Sequence, residues 1–352
     1  MGGAPYVRSV ARHRLFVFVA AAALAAGCSS AQADKEAAAA PRPVASSASP
    51  SASPSPSPTP AATDPLTGLA PRRTSSVVVL KVDNETLAWP YQRGLDRAAI
   101  VYQELMEGGS TRLAAVFDDG SAGEVGPIRS VRESDIELLS QLGRVAVGFS
   151  GGNRGVKASF RSAVTAGRLL DASYDAVPGD YRLGEFRADA RNFFTSPAAL
   201  AKDRPGSPAR DIGLRFGTLP AVWGTAAPSA RAAFSDAAVV TLRYLPSTHR
   251  WSVTQDSHLM AGVAPANVIV QRVSVQGSRY VDVLGNPTPY TVSTGSGPAT
   301  ILRDGRAFEA TWRRPAVTAG TSYVDGAGHA VPLRPGPTWI LLLPLGSPLT
   351  LG

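Results

Sequence analysis

Several sets of side chains in this 352-residue chain are of types and spacings that could do chemistry. Gly148-Phe149-Ser150-Gly151-Gly152 has the spacing G-x-S-x-G directly after an apolar run. In serine hydrolases that spacing puts the hydroxyl on a strained turn, beside a histidine base and the backbone N–H groups that hold an oxyanion. Glu104 and Glu107 are a carboxylate pair of the kind that glycoside cleavage uses. Arg112, Arg129, Arg132 and Arg187 offer guanidinium forks to a carboxylate or phosphate. Trp312, Trp339, Tyr290 and Tyr323 could form a sugar-stacking surface.

Each signal also has a plainer reading. A nucleophile elbow runs at once into a helix, whereas Asn153-Arg154-Gly155 delays one here. Beyond the leader only His249, His258 and His329 remain, all in the C-terminal part, so Ser150 reads first as part of a structural glycine loop. Residues three apart on a strand point to opposite faces, which separates Glu104 from Glu107 and makes solvated charges the default. Glu107, next to Gly108-Gly109, is the better functional residue of the two. The arginines divide evenly between two readings. One is an anion site at a helix start; the other is an internal network pairing Arg129 and Arg132 with Glu107, Asp118 or Glu133. The aromatics read by default as core or rim. Asp118-Asp119 and Asp171…Asp175 lack EF-hand spacing and no histidines stand at i, i+4, so neither a metal site nor a cofactor is expected.

The elements that must position these groups centre on Tyr102 to Arg132. Ile100–Met106 alternates with period two, Leu113–Phe117 is apolar, and Gly108-Gly109-Ser110 can take the positive φ of a tight turn, which predicts a β-hairpin. Gly126-Pro127 is expected to turn the chain, and Ser130-x-x-Glu133 reads as a capping box opening a helix through Ile136, Leu138, Leu139 and Leu142. A strand is expected at Val77 to Val82, a buried strand at Arg144 to Phe149 and a helix over Val156 to Ala166, C-capped by Gly167. Ser196-Pro197 should start another helix. Beyond about Pro205 the runs are short, β-branched and aromatic, from Val239–Leu245 to Trp339–Leu343, with turns such as Asp304-Gly305. The fold class expected is α+β: an N-terminal mixed α/β domain over 64–233, then a smaller all-β sandwich or barrel over 234–352.

The N-terminus carries Arg8, Arg12 and Arg14, then an apolar run from Leu15 to Ala26. About a dozen apolar residues are too few to span a bilayer core, so residues 1–27 read as a signal peptide. Cys28, the sole cysteine, follows Leu24-Ala25-Ala26-Gly27 as in bacterial lipoprotein processing sites, where the thiol receives a diacylglycerol. A single cysteine excludes an intramolecular disulfide and a cysteine-based zinc site. Residues 28–63 are Ser, Pro and Ala with almost no large apolar side chain, the composition of a disordered tether reaching up to ~100 Å. The net charge of +8 falls to +5 without the leader arginines, and no basic stripe with interleaved aromatics is present, so nucleic acid is excluded as a partner. Arg303, Arg306, Arg313 and Arg314 bunch near Asp304-Gly305 and read as a solvated face, with recognition of an acidic polymer as the alternative.

Several motifs occur in one order: Pro65-Leu66-Thr67-Gly68, Glu107-Gly108-Gly109-x-Thr111-Arg112, Gly126-Pro127-Ile128-Arg129-Ser130-x-Arg132, Gly151-Gly152, and Arg187…Asn192-x-Phe194-Thr195-Ser196. Asn267-Val268-Ile269-Val270, Gly305…Thr311-Trp312 and Gly336-x-Thr338-Trp339-Ile340 follow. From about Asp64 to Pro344 the chain thus resembles the YerB-like lipoproteins, a family of unknown function also called DUF3048. The resemblance implies an α+β domain followed by a β domain, and no established activity. Where that family carries Pro-His-Asn this chain has Ala190-Arg191-Asn192, and arginine offers no lone pair for base or metal chemistry. The reading that follows is a lipoprotein anchored to the cell membrane through Cys28, on the extracytoplasmic face. It would contact a wall polymer or envelope protein through Glu107, Arg112, Arg129, Arg132, Arg187 and Asn192. The alternative is a wall-directed hydrolase using Ser150 or Glu107, with catalytic residues otherwise unassigned.

Overall fold

The computed structural model describes residues 63–71, 76–184, 192–219, 223–282 and 285–352. Cys28, the leader, the tether and Arg187 therefore lie outside the described residues. The first half runs through β1 (Val78–Asp83), β2 (Ile100–Leu105), β3 (Thr111–Phe117), β4 (Val125–Ile128), helix α1 (Glu133–Leu139) and β5 (Val145–Gly148). It continues with α2 (Arg154–Thr165), β6 (Leu169–Asp171), β7 (Tyr181–Leu183), β8 (Phe193–Thr195) and α3 (Pro197–Asp203). The expected hairpin is β2–β3, in antiparallel register from Ile100↔Val116 to Leu105↔Thr111.

Two local expectations are corrected. Gly126-Pro127 lies within β4, at a register break against β8, rather than in a turn. The helix cap is Arg132, not Ser130: the Arg132 backbone N–H donates to Asp135 Oδ2 at 2.7 Å, three residues on, while the Ser130 hydroxyl donates to the Ser150 carbonyl at 3.3 Å. An Asp at the third helical position with its carboxylate turned back satisfies an end N–H as a Glu would, and that moves the start by two residues.

The second half is all strand: β9 (Thr225–Ala226), β10 (Ser229–Ser235), β11 (Ala238–Leu245), β12 (Arg250–Gln255), β13 (His258–Leu259), β14 (Asn267–Val273) and β15 (Val275–Val281). After it come β16 (Pro287–Thr291), β17 (Gly295–Arg303), β18 (Arg306–Arg314), β19 (Ser322–Val324), β20 (Thr338–Pro344) and β21 (Leu349–Leu351). Asp304 and Gly305 join β17 to β18 with φ of 51° and 71°, the paired positive values of a two-residue hairpin turn.

These strands do not close into a sandwich or barrel of their own. A 14-stranded sheet runs β19-β18-β17-β14-β20-β2-β3-β1-β4-β8-β7, with β5, β6 and β9 attached beside it. Its seam is the parallel pairing of β2 with β20, Ile100↔Thr338 to Gln103↔Leu341. A free edge on β2 would leave a row of N–H and C=O groups unpaired, and β20 satisfies them. The boundary expected at 233/234 falls inside β10.

Alternation along the strands sends side chains to two cores. Val78, Leu80, Val82, Leu113 and Ala115 meet Ala232, Val240, Trp251 and Val253 of the five-stranded sheet β13-β12-β11-β10-β21. Val79, Tyr102, Ala114 and Val116 meet Leu138 and Leu139 of α1 and Val156 and Phe160 of α2. Both faces being covered, β1 and β3 bury every residue, charged ones included. The β15–β16 hairpin is a separate two-stranded sheet resting on α1 and α2. Tyr280 packs so close to Gly155 that a Cβ there would stand 2.2 Å from its ring. Among the described residues, no helix is long and apolar enough to cross a membrane.

Candidate functional site

Register assembles the site. Asp83 of β1 stands opposite Arg112 of β3, and Arg112 stands opposite Glu104 of β2, which lines the three along one row of one face. Lys81, two residues before Asp83, shares that face, and the first turn of α1 covers it. Lys81 Nζ donates to Glu104 Oε1 at 2.6 Å and to Asp135 Oδ1 at 2.5 Å, and the Ser134 hydroxyl donates to Glu104 Oε2 at 2.8 Å. All four residues are buried. Burial would raise both carboxyls. The Lys81 charge and its hydrogen bond nevertheless hold Glu104 below the ordinary range, whereas burial and the neighbouring Glu104 charge push Asp135 up to about 7. One ammonium between two carboxylates thus leaves one of the two easily protonated.

Next along the face come the arginines. Arg112 Nη2 donates to Glu85 Oε1 at 3.0 Å and lies 3.6 Å from Asp83 Oδ1, while its buried Nε has no partner. Arg129 Nε is 2.9 Å from the other Asp83 oxygen. Arg132 forks onto Glu107, Nε to Oε1 and Nη2 to Oε2 both at 2.9 Å, and the Thr288 hydroxyl of β16 donates to the same Oε1 at 2.7 Å. Burial lowers the Arg112 pKa, and the charges of Arg132 and Arg129 push it the same way against Asp83 and Glu85. Burial opposes ionisation of Glu107, but Arg132 and Thr288 keep its pKa low.

Glu107, Arg112, Arg129 and Arg132 therefore do come together, yet every guanidinium already faces a carboxylate. Arg132 pairs with Glu107 as the internal-network reading expected, but the partner of Arg129 is Asp83, not Glu107, Asp118 or Glu133. Asn192 is buried, accepts from the Gly184 N–H through its carbonyl, and is carried alongside Arg129 by the Ile128↔Phe193 register. A cleft of about 390 Å³ opens beside the cluster, lined by Glu107, Ser130, Arg132, Gly152, Asn153, Arg154 and Thr288 among others.

Ser150 is not presented as a nucleophile. It follows β5 as expected, but its hydroxyl is buried without a hydrogen-bond partner. The histidines are engaged elsewhere: His249 with the Tyr244 hydroxyl, His258 stacked on Trp89, and His329 beside Asp325. Trp312, Trp339 and Tyr323 are core residues, in line with their default reading and against the alternative of a sugar-stacking surface, and Tyr290 donates to Glu137 at 3.0 Å. Nor do the arginines near Asp304 form one solvated face. Arg303 and Arg314 are buried, and Arg314 donates to the carbonyls of Glu137, Val317 and Ala319. Among the described residues no group of three or more His, Cys, Asp or Glu could hold a metal.

Sequence reasoning passed over Lys81, Asp83 and Asp135. One signal was there: a lone lysine inside Val77-Val78-Val79-Leu80-Lys81-Val82, a run that reads as buried on both faces, where a charge is tolerated only with a partner.

Residues 66–210 match the family described as "Protein of unknown function (DUF3048) N-terminal domain", and residues 230–340 match its C-terminal domain. A relative from Bacillus subtilis (strain 168), named "Putative lipoprotein YerB", is 25% identical over 302 residues, covering 80% of this chain and 86% of that protein. The crystal structure of the YerB protein from Bacillus subtilis matches the fold with a TM-score of 0.68 at 22% identity, covering 82% of this chain and 99% of that one. With both domain matches in order along the chain, this protein belongs to the YerB-like DUF3048 family.

Proposed function

We propose that this protein is a lipid-anchored, extracytoplasmic binding or scaffold lipoprotein of the bacterial cell envelope. Its contact site is the cleft beside Glu107, Arg112, Arg129 and Arg132, and its partner is a wall component or an envelope protein. The name of the Bacillus relative and the leader ending at Cys28 support the anchor. For the contact site, the observation that carries the reading is the cleft of about 390 Å³ that opens on Arg132 and Glu107, with Arg112 and Arg129 in the same charged cluster behind it.

The competing reading is a wall-directed hydrolase using Ser150 or Glu107. It has to contend with a buried Ser150 hydroxyl and with a Glu107 carboxylate already occupied by Arg132 and Thr288. Crosslinking from a photoreactive residue at position 154, at the cleft rim, in living cells separates the two. Arg129→Ala should abolish the crosslinked partner and Ser150→Ala should retain it. The reverse pattern would favour the enzyme.

A further inference from the structure

We propose that a second cleft, built on residues separate from the arginine cluster, binds an uncharged saccharide. It lies between the segments Trp89–Asp96 and His258–Val263 and has a volume of about 550 Å³, within the range of ligand-sized sites. Trp89 and His258 line it as parallel plates stacked on each other, with ring centroids 5.3 Å apart and an interplanar angle of 12°, so a ligand meets the outer face of the pair. The indole N–H is fixed on the Asn84 carbonyl at 3.1 Å, so this plate loses little rotamer freedom when a ligand lies against it. Leu95, Met260 and Val263 are buried and give the cleft an apolar floor.

The charged groups at the rim are already matched. Arg93 Nη1 is 2.9 Å from Glu124 Oε2, and Asp96 Oδ2 is 3.4 Å from Arg97 Nε. An ionic ligand would have to displace one of these pairs. A purely apolar ligand would strip water from Arg93 and Asp96, whose ion pairs are part-exposed at the rim. A pyranose ring meets both halves, its C–H face against the aromatic plates and its hydroxyls on carboxylate and amide oxygens. Gly94 and Gly262, with φ of 81° and 78°, turn the two segments, and a Cβ on Gly262 would make ordinary contact with the Asp96 Cβ at 3.7 Å. Leu87, Tyr91 and Leu259, neighbours of lining residues in the chain, are 62%, 37% and 56% exposed.

Isothermal titration of the full-length protein with maltotriose and with triacetylchitotriose tests this, with inorganic phosphate as the charged comparator. At least one trisaccharide should bind in the millimolar range or tighter. Trp89→Ala should weaken it at least about tenfold and Trp89→Phe much less. His258→Ala, the second probe should Trp89→Ala fail to fold by circular dichroism, should weaken it as well. Arg132→Ala should leave it unchanged, which separates this site from the arginine cleft. The assignment is overturned if neither trisaccharide binds or if phosphate binds in the same place as tightly. Binding that survives in folded Trp89→Ala and His258→Ala, or that is lost in Arg132→Ala, overturns it too.

Discussion

Lys81 Nζ lies 2.5 Å from Asp135 Oδ1, although 54 residues separate the two in the chain. The contact joins β1, at one end of the charged row, to the first turn of α1. Because Asp135 Oδ2 also accepts the Arg132 N–H, it fixes where Arg132 leaves the helix to reach Glu107. The buried ion cluster and the exposed cleft are thus one connected network.

Replacing Lys81 with methionine keeps the stem and removes the charge. Glu104 and Asp135 would then be buried together without their cation, a loss of about 3–5 kcal/mol. Urea unfolding should show it as a lower midpoint. Adding Glu104→Gln should recover part of it, because the remaining carboxyl can take up a proton. A Lys81→Met protein as stable as the parent would contradict the cluster.

Stability should fall as pH rises from ~5 to ~7. In the folded chain burial and Glu104 push Asp135 up to about 7, whereas an unfolded aspartate titrates near ~3.9. Between those values the folded state holds the extra proton, so raising the pH favours the unfolded state until Asp135 ionises in both, and the curve then levels. Glu104 and Glu107 have the opposite sign: their lowered values add stability above ~4.3 that is lost only at more acid pH, outside this window. Asp135→Asn should flatten the slope between pH ~5 and ~7 in denaturant titrations. An unaltered slope would remove Asp135 as its source.

Arg132 and Glu107 form a two-point fork with little exposure, 15% and 11% of the side chains. A double-mutant cycle with alanine at both positions should give a coupling of about 1–2 kcal/mol, above the range of exposed pairs. Amide exchange in Pro287–Thr291 should quicken in either single variant, because Thr288 donates to the same carboxylate. Additive losses with unchanged exchange would show that the fork does not hold the hairpin.

Ser150→Ala removes a buried hydroxyl that has no partner. The change should be neutral or stabilising by up to ~1 kcal/mol in thermal unfolding. A fluorophosphonate should leave the wild type unlabelled, and labelling confined to Ser150 would reinstate the nucleophile.

For the anchor, an alkyne fatty acid fed to cells should label the wild type, and Cys28→Ala should be released or remain as precursor. Two acyl chains, at about 0.8 kcal/mol per buried methylene, hold far more firmly than the mature net charge. A processed Cys28→Ala protein retained on salt-washed membranes would defeat the assignment.

The sequence by itself determined the local elements. Alternation and the glycines at 108 and 109 made the β2–β3 hairpin legible, and Gly167 marked the end of α2 to within a residue or two. Asp304-Gly305 located the β17–β18 turn, and the ordered motifs placed the chain in its family. These signals depend on neighbours two to four residues apart, where backbone geometry alone sets which side chains meet. Pairing over long separations only the tertiary structure decided. Gln103 accepts the Trp339 indole N–H across 236 residues because β2 lies parallel to β20, a register that no local pattern encodes. The same applies to Lys81 with Asp135, to Arg129 with Asp83, and to Trp89 with His258. A charge or ring in the chain announces that it needs a partner; which partner depends on the register between strands, since a shift of one residue turns each side chain to the other face.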